Sequence, residues 1–122
     1  KTMESGFKFH RRVRGFKNIP DPILRQYMSE GLYPVKDGYK LSYSREWEAA
    51  IYQTVPWAWS SIKKLAIDTV VIRGSDSDTL TPEVVKRMQK KRPHIENVEF
   101  AGGHLFPLER PQATAEQILQ HL

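Results

Sequence analysis

Cysteine is missing altogether from the 122 residues. Disulfides and thiolate metal sites are therefore excluded, and neither a metal site nor a cofactor is expected. Long apolar runs are also missing. No stretch approaches the roughly 20 apolar residues that a membrane helix needs, so a soluble chain without a membrane partner is expected. The opening residues are charged and polar and lack the basic–apolar–small order of a secretory leader. Together with the absence of cysteine, this fits a cytoplasmic location. The first residue is Lys1 and not methionine, which raises the expectation of a fragment preceded by further chain.

Acid is scarce at the start. Residues 1–19 hold Lys1, Lys8, Arg11, Arg12, Arg14 and Lys17 against Glu4 alone, so they carry the whole net charge of +5 and the remainder is neutral. Basic residues beside Phe7, Phe9 and Phe16 could form a nucleic-acid or anionic-surface patch. No recognisable nucleic-acid motif accompanies the charge, so a solvated or salt-bridged segment is the preferred reading, and nucleic acid is not the expected partner.

The rest of the chain has two textures. Residues 1–65 are aromatic-rich, with short helical patterns and irregular joints. Asp21-Pro22 reads as an N-cap followed by proline at the first helical position, with Ile23, Leu24, Tyr27 and Met28 at helical spacing and Gly31 placed to end the helix. Pro34–Gly38 reads as a turn, and Tyr39, Leu41 and Tyr43 alternate with polar residues as in a half-exposed strand. Ser44 can cap a helix carrying Trp47, Ala50 and Ile51, and Pro56 can start another with Trp57, Trp59 and Ile62. These aromatics suit a thin core. Some of them, with Trp47, Trp57 and Trp59 as candidates, could instead face a substrate pocket.

Residues 66–122 are more regular. Thr69-Val70-Val71-Ile72 has the pattern of a strand buried on both faces, followed by the polar loop Ser75–Thr79. Thr81-Pro82-Glu83 is a helix start with cap, proline and first-turn acid, and Lys90-Lys91-Arg92 suits that helix's end. Val98-Glu99-Phe100 is a second short strand running into Ala101-Gly102-Gly103-His104. A last helix from about Pro111 places Ala115, Ile118, Leu119 and Leu122 on one face. This alternation implies an α/β fold with parallel strands. Two parallel strands are not a stable sheet by themselves, so the segment reads as the end of a larger one.

In such folds the working residues sit at the carboxyl ends of the strands. Those positions carry Asp76 and Asp78 after the first strand and His104 after the second. A carboxylate beside an imidazole fixes its tautomer and stabilises its positive charge, so the histidine can move a proton for a nucleophile or water.

The segment Val70–Glu83 resembles the acid-bearing segment of α/β-hydrolase-fold enzymes. Phe100-Ala101-Gly102-Gly103-His104 with Leu105–Pro111 resembles their histidine segment. The resemblance implies the C-terminal portion of that fold, with residues 1–65 as a helical cap or lid and residues 66–122 as the strand–helix–strand–helix end of the core. It implies His104 as general base and Asp78 as the triad acid, with Asp76 as the alternative. The family's chain order is nucleophile, acid, histidine. No Gly-x-Ser-x-Gly elbow occurs, since the seven glycines never bracket a serine at that spacing. A Ser or Asp nucleophile is therefore expected upstream, in a missing N-terminal segment or chain, and the isolated chain is expected to be inactive. An esterase-like parent acting on a small molecule with an apolar portion follows from the resemblance and the aromatic cap. The competing expectation is a non-catalytic binding or interaction module on a degenerate hydrolase-like fold.

Overall fold

A computed structural model describes residues 2–55 and 57–122. The chain divides into two compact units, the first ending at residue 56 and the second starting at Trp57. Helix start Pro56 lies outside the described residues.

The first unit begins with α1 (Met3–Arg11), capped by the Thr2 hydroxyl, which accepts from Ser5 N–H at 3.1 Å. A 3₁₀ turn (Arg14–Phe16) leads to α2 (Asp21–Gly31). Its apolar stripe works as the spacing requires: Leu24 and Met28, one turn apart, are both buried, and they form the unit's core with Phe7 and Ile19. Gly6 lets α1 approach α2 closely, since a side chain there would begin 3.1 Å from the Met28 methyl. Arg11 ties the basic segment down: its guanidinium donates to the carbonyls of Phe16 and Ile19 at 2.9 and 2.7 Å and pairs with Asp21. Part of the N-terminal charge is thus structural.

Gly31 does not act as a left-handed terminator. It is the last residue of α2, and the backbone passes straight into β1 (Leu32–Val35) with Leu32 extended. β1 pairs antiparallel with β2 (Gly38–Leu41), register Val35↔Gly38 to Leu32↔Leu41. The expected turn is therefore shorter, confined to Lys36-Asp37. Lys36 and Asp37 keep negative φ, and Gly38, the first residue of β2, takes the positive value of 134° that a side chain would rarely adopt. Pro34, which cannot donate to a ladder, sits in this two-stranded edge where the missing N–H is tolerated. Ser44 caps α3 (Arg45–Gln53) as its sequence position implies, accepting from Trp47 N–H at 3.2 Å. No residue of α3 is buried.

The second unit opens with the short α4 (Trp59–Lys63). β3 (Thr69–Gly74) and β4 (Ile95–Phe100) pair in parallel, in register from Thr69↔Ile95 to Gly74↔Phe100. α5 (Pro82–Lys91) crosses between them, started by Thr81 as expected, and Gln89 Nε2 donates to the Ile95 carbonyl at 3.0 Å where β4 begins. α6 (Phe106–Glu109), a single turn not foreseen from the sequence, and α7 (Pro111–Leu119) follow. Val85, Ile95 and Phe106 are the buried apolar residues, with the Phe100 and Phe106 rings 4.9 Å apart.

The valine-rich run of β3 was expected to be buried on both faces. Val70, Val71 and Ile72 are only partly covered, and Arg73 and Gly74 are the buried members of the strand. A two-stranded sheet has no further strands to flank it, which is the physical reason. Arg73 is 5% exposed. It donates to the Gly74 carbonyl at 3.0 Å and pairs with Glu99, its register partner on β4.

Candidate active site

The parallel pairing of β3 and β4 continues past the strand ends. Ser75 N–H donates to the Phe100 carbonyl at 2.8 Å, and Asp76 N–H donates to the Gly102 carbonyl at 2.9 Å. These bonds fasten the Ser75–Thr79 loop to the Gly102-Gly103-His104 turn. Gly74 is what makes the approach possible: a Cβ there would lie 2.1 Å from the Gly103 carbonyl oxygen and 2.6 Å from that of Gly102. Gly102 itself has φ 146°, a region that side chains rarely enter. The Glu109 carboxylate then braces the turn from below, accepting from Gly103 N–H at 3.3 Å.

His104 is presented at the surface by this turn. Its Nδ1 lies 3.1 Å from Ser77 Oγ, and its Nε2 bonds to none of the described residues. Ser77 is buried, and its hydroxyl also accepts from Leu80 N–H at 3.0 Å. A hydroxyl has one proton and two lone pairs. It can therefore accept from a protonated Nδ1, which leaves Nε2 bare and basic, or donate to an unprotonated one. Such a partner orients the ring without the charge stabilisation that a carboxylate gives an imidazolium.

Asp78 and Asp76 stand on either side of Ser77, and both are exposed. Asp78 Oδ1 accepts from Thr79 Oγ1 at 3.3 Å, and Asp76 Oδ1 accepts from Ser75 Oγ at 3.2 Å. Neither carboxylate hydrogen-bonds the imidazole among the described residues. The structure thus brings the acid-bearing loop and His104 together while placing a serine, not an aspartate, on Nδ1. Sequence reasoning missed Ser77 and Glu109. Ser77 reads as one polar residue among five in a loop, and only the fold reveals that its side chain points inward.

Trp47 is 66% exposed on α3, and Trp57 and Trp59 pack against each other, with ring centres 6.5 Å apart. A cavity of about 490 Å³ does exist in the first unit, lined mainly by Tyr27, Met28, Leu41, Tyr43, Ile51 and Tyr52. His10 and Glu48 contribute an imidazole and a carboxylate to it. Trp47 precedes Ile51 by four residues, yet it is absent from the lining.

No family model matches this sequence, and no curated protein does. Solved structures do match. E-2-(acetamidomethylene)succinate hydrolase superposes with a TM-score of 0.88 at 17% identity over 98% of this chain and 44% of that one. A thioesterase domain from the curacin biosynthetic pathway matches with a TM-score of 0.73 at 18% identity, covering 97% of this chain and 42% of that one. The peroxisomal alpha-beta-hydrolase Lpx1 of Saccharomyces cerevisiae matches with a TM-score of 0.77 at 22% identity, covering 96% and 32% respectively. The chain therefore has the fold of the C-terminal portion of an α/β-hydrolase, as the strand-end motifs implied. It spans less than half the length of these similar chains.

Proposed function

We propose that the chain is the C-terminal part of a hydrolase in which His104 is the general base and Asp78 the triad acid, with the nucleophile upstream. The fastening of the Asp78 loop to the His104 turn through Ser75 N–H and Asp76 N–H is the observation that carries this reading. Nε2 of His104 takes the proton from a Ser hydroxyl as it attacks and gives it to the departing group as the covalent intermediate forms. It then takes a proton from the water that attacks that intermediate and returns it to the serine oxygen. With an Asp nucleophile it takes the proton only from that water. The esterase-like assignment rests on the kinds of protein the fold matches. A substrate with an apolar portion rests on the aromatic-rich composition of residues 1–65.

Asp78 is the residue after Ser77, so this reading requires the 77–79 backbone to rearrange until the carboxylate replaces the hydroxyl at Nδ1. The test is hydrolysis of short and medium acyl esters by the full-length protein carrying Asp78→Asn or Asp76→Asn. The expected result is a loss of about 10²-fold or more for Asp78→Asn and little for Asp76→Asn. Equal turnover in both variants would contradict Asp78 as the acid. Residues 1–122 alone are expected to show no turnover proportional to protein concentration.

A second reading has its own observation. Because Nδ1 of His104 meets a neutral hydroxyl, the pair as it stands lacks the charge of a triad, which suits a non-catalytic module on a hydrolase-like fold. The absence of an elbow from the sequence upstream of Lys1 would favour it.

A further inference from the structure

At the opposite end of the second unit from His104, four cations converge with no carboxylate among them. Lys63 at the end of α4 and Arg87, Lys90 and Lys91 on α5 line a concavity of about 480 Å³. None of the four forms an ion pair with any described residue. Helix-end complementation explains only part of this charge. Each helix C-terminus presents about half a negative charge, so two helix ends offset about one of the four positive charges.

Arg87 is the organised member. Its guanidinium lies 3.9 Å from the Trp59 ring centre and 5.7 Å from that of Trp57. This contact holds the guanidinium over the indole, and none of its N–H donors makes a hydrogen bond to any described residue. A planar, pre-oriented guanidinium with unused donors is the geometry that takes a phosphate oxygen pair side by side. The three ammonium groups around it supply further charge. The concavity is open and lined by four residues, a footprint nearer that of a small anion than that of an extended polymer.

We propose that Lys63, Arg87, Lys90 and Lys91 form a binding site for a small phosphate-bearing anion, separate from the candidate active site. α5 leaves the Asp78 loop and returns to the start of β4, as the Gln89–Ile95 bond shows. The C-terminal end of α5, which carries Lys90 and Lys91, therefore lies by the start of β4, while His104 follows that strand's end.

The test is calorimetric titration of the full chain with inorganic diphosphate and, separately, with ATP. Saturable one-site binding is expected at low salt, weakening about tenfold between ~50 and ~200 mM as screening grows. Lys90→Ala/Lys91→Ala should weaken it about tenfold. Arg87→Lys keeps the charge and loses the fork, so it should weaken binding at least about threefold. Lys40→Ala, on β2 in the other unit, should leave it unchanged. Equal affinity for the two probes supports recognition of phosphate itself, and tighter ATP binding adds a nucleoside contact with an indole face. Failure of both probes to saturate, wild-type affinity in Arg87→Lys and Lys90→Ala/Lys91→Ala, or binding of an oligonucleotide without either small anion would overturn the proposal.

Discussion

Gly74 and Gly31 show how differently one residue type can be constrained. At Gly74 a methyl group would collide with two backbone carbonyls of the neighbouring turn. That of Gly102 accepts from Asp76 N–H and that of Gly103 from Phe106 N–H, so neither can move without breaking a hydrogen bond. Gly74→Ala is therefore expected to cost about 3 kcal/mol or more, read as a lowered urea midpoint with an unchanged slope. At Gly31 nothing lies within reach of a Cβ, and the backbone is helical. Gly31→Ala is expected to stabilise by up to about 1 kcal/mol in the same experiment. Ser77 is constrained by its partners. Ser77→Ala removes the acceptor of Leu80 N–H and the anchor of His104 together. A loss of about 1–2 kcal/mol is expected, with a shift of the His104 imidazole resonances. Unmoved resonances would show that the hydroxyl does not hold the ring.

At the level of elements, capping governs where α5 begins. The Thr81 hydroxyl accepts from Val84 N–H at 3.5 Å and also hydrogen-bonds the Glu83 carboxylate. That second bond, with help from Glu83's own backbone N–H, holds the Glu83 carboxyl below its ordinary value of 4.5. A folded-state value below the unfolded one means that the unfolded chain takes up the proton more readily. The stabilisation is thus present above pH 4.5 and lost as the pH falls through the lowered value. Thr81→Ala should return the Glu83 titration, followed by NMR, toward 4.5 and cost about 1 kcal/mol at neutral pH. This helix start was legible from Thr81-Pro82-Glu83 alone, as were Ser44 before α3 and the β3 run, because caps and unbroken apolar runs are local signals. β4 was legible only over Val98–Phe100, since Glu96 and Asn97 interrupt its apolar pattern. The β1–β2 hairpin was only half legible: β1 is four residues long and contains Pro34, which argues against a strand unless an edge is available. α6 is a single turn, too short to show a period. At the site, the Gly-Gly before His104 signalled close backbone approach. The serine on Nδ1 and the Glu109 brace depend on how separate segments meet, and no spacing in the sequence encodes that.

For the whole molecule, the second unit has a chemistry-bearing end and a cationic end, joined by two strands and a crossing helix. Its fold is the closing part of an α/β-hydrolase, and the partly covered β3 and β4 are what such a part would leave when the flanking strands are not in the chain. The first unit contributes an apolar-lined cavity and a basic N-terminal segment that Arg11 anchors internally. His104 is the residue on which the functional reading turns, because it is exposed, its Nε2 has no partner among the described residues and its Nδ1 is held. The most direct measurement is ester hydrolysis by the full-length protein with His104 intact and with His104→Ala. Loss of about 10²-fold or more in kcat, with the fold retained by circular dichroism, is the expected result. Unchanged turnover in His104→Ala would contradict its role as the base.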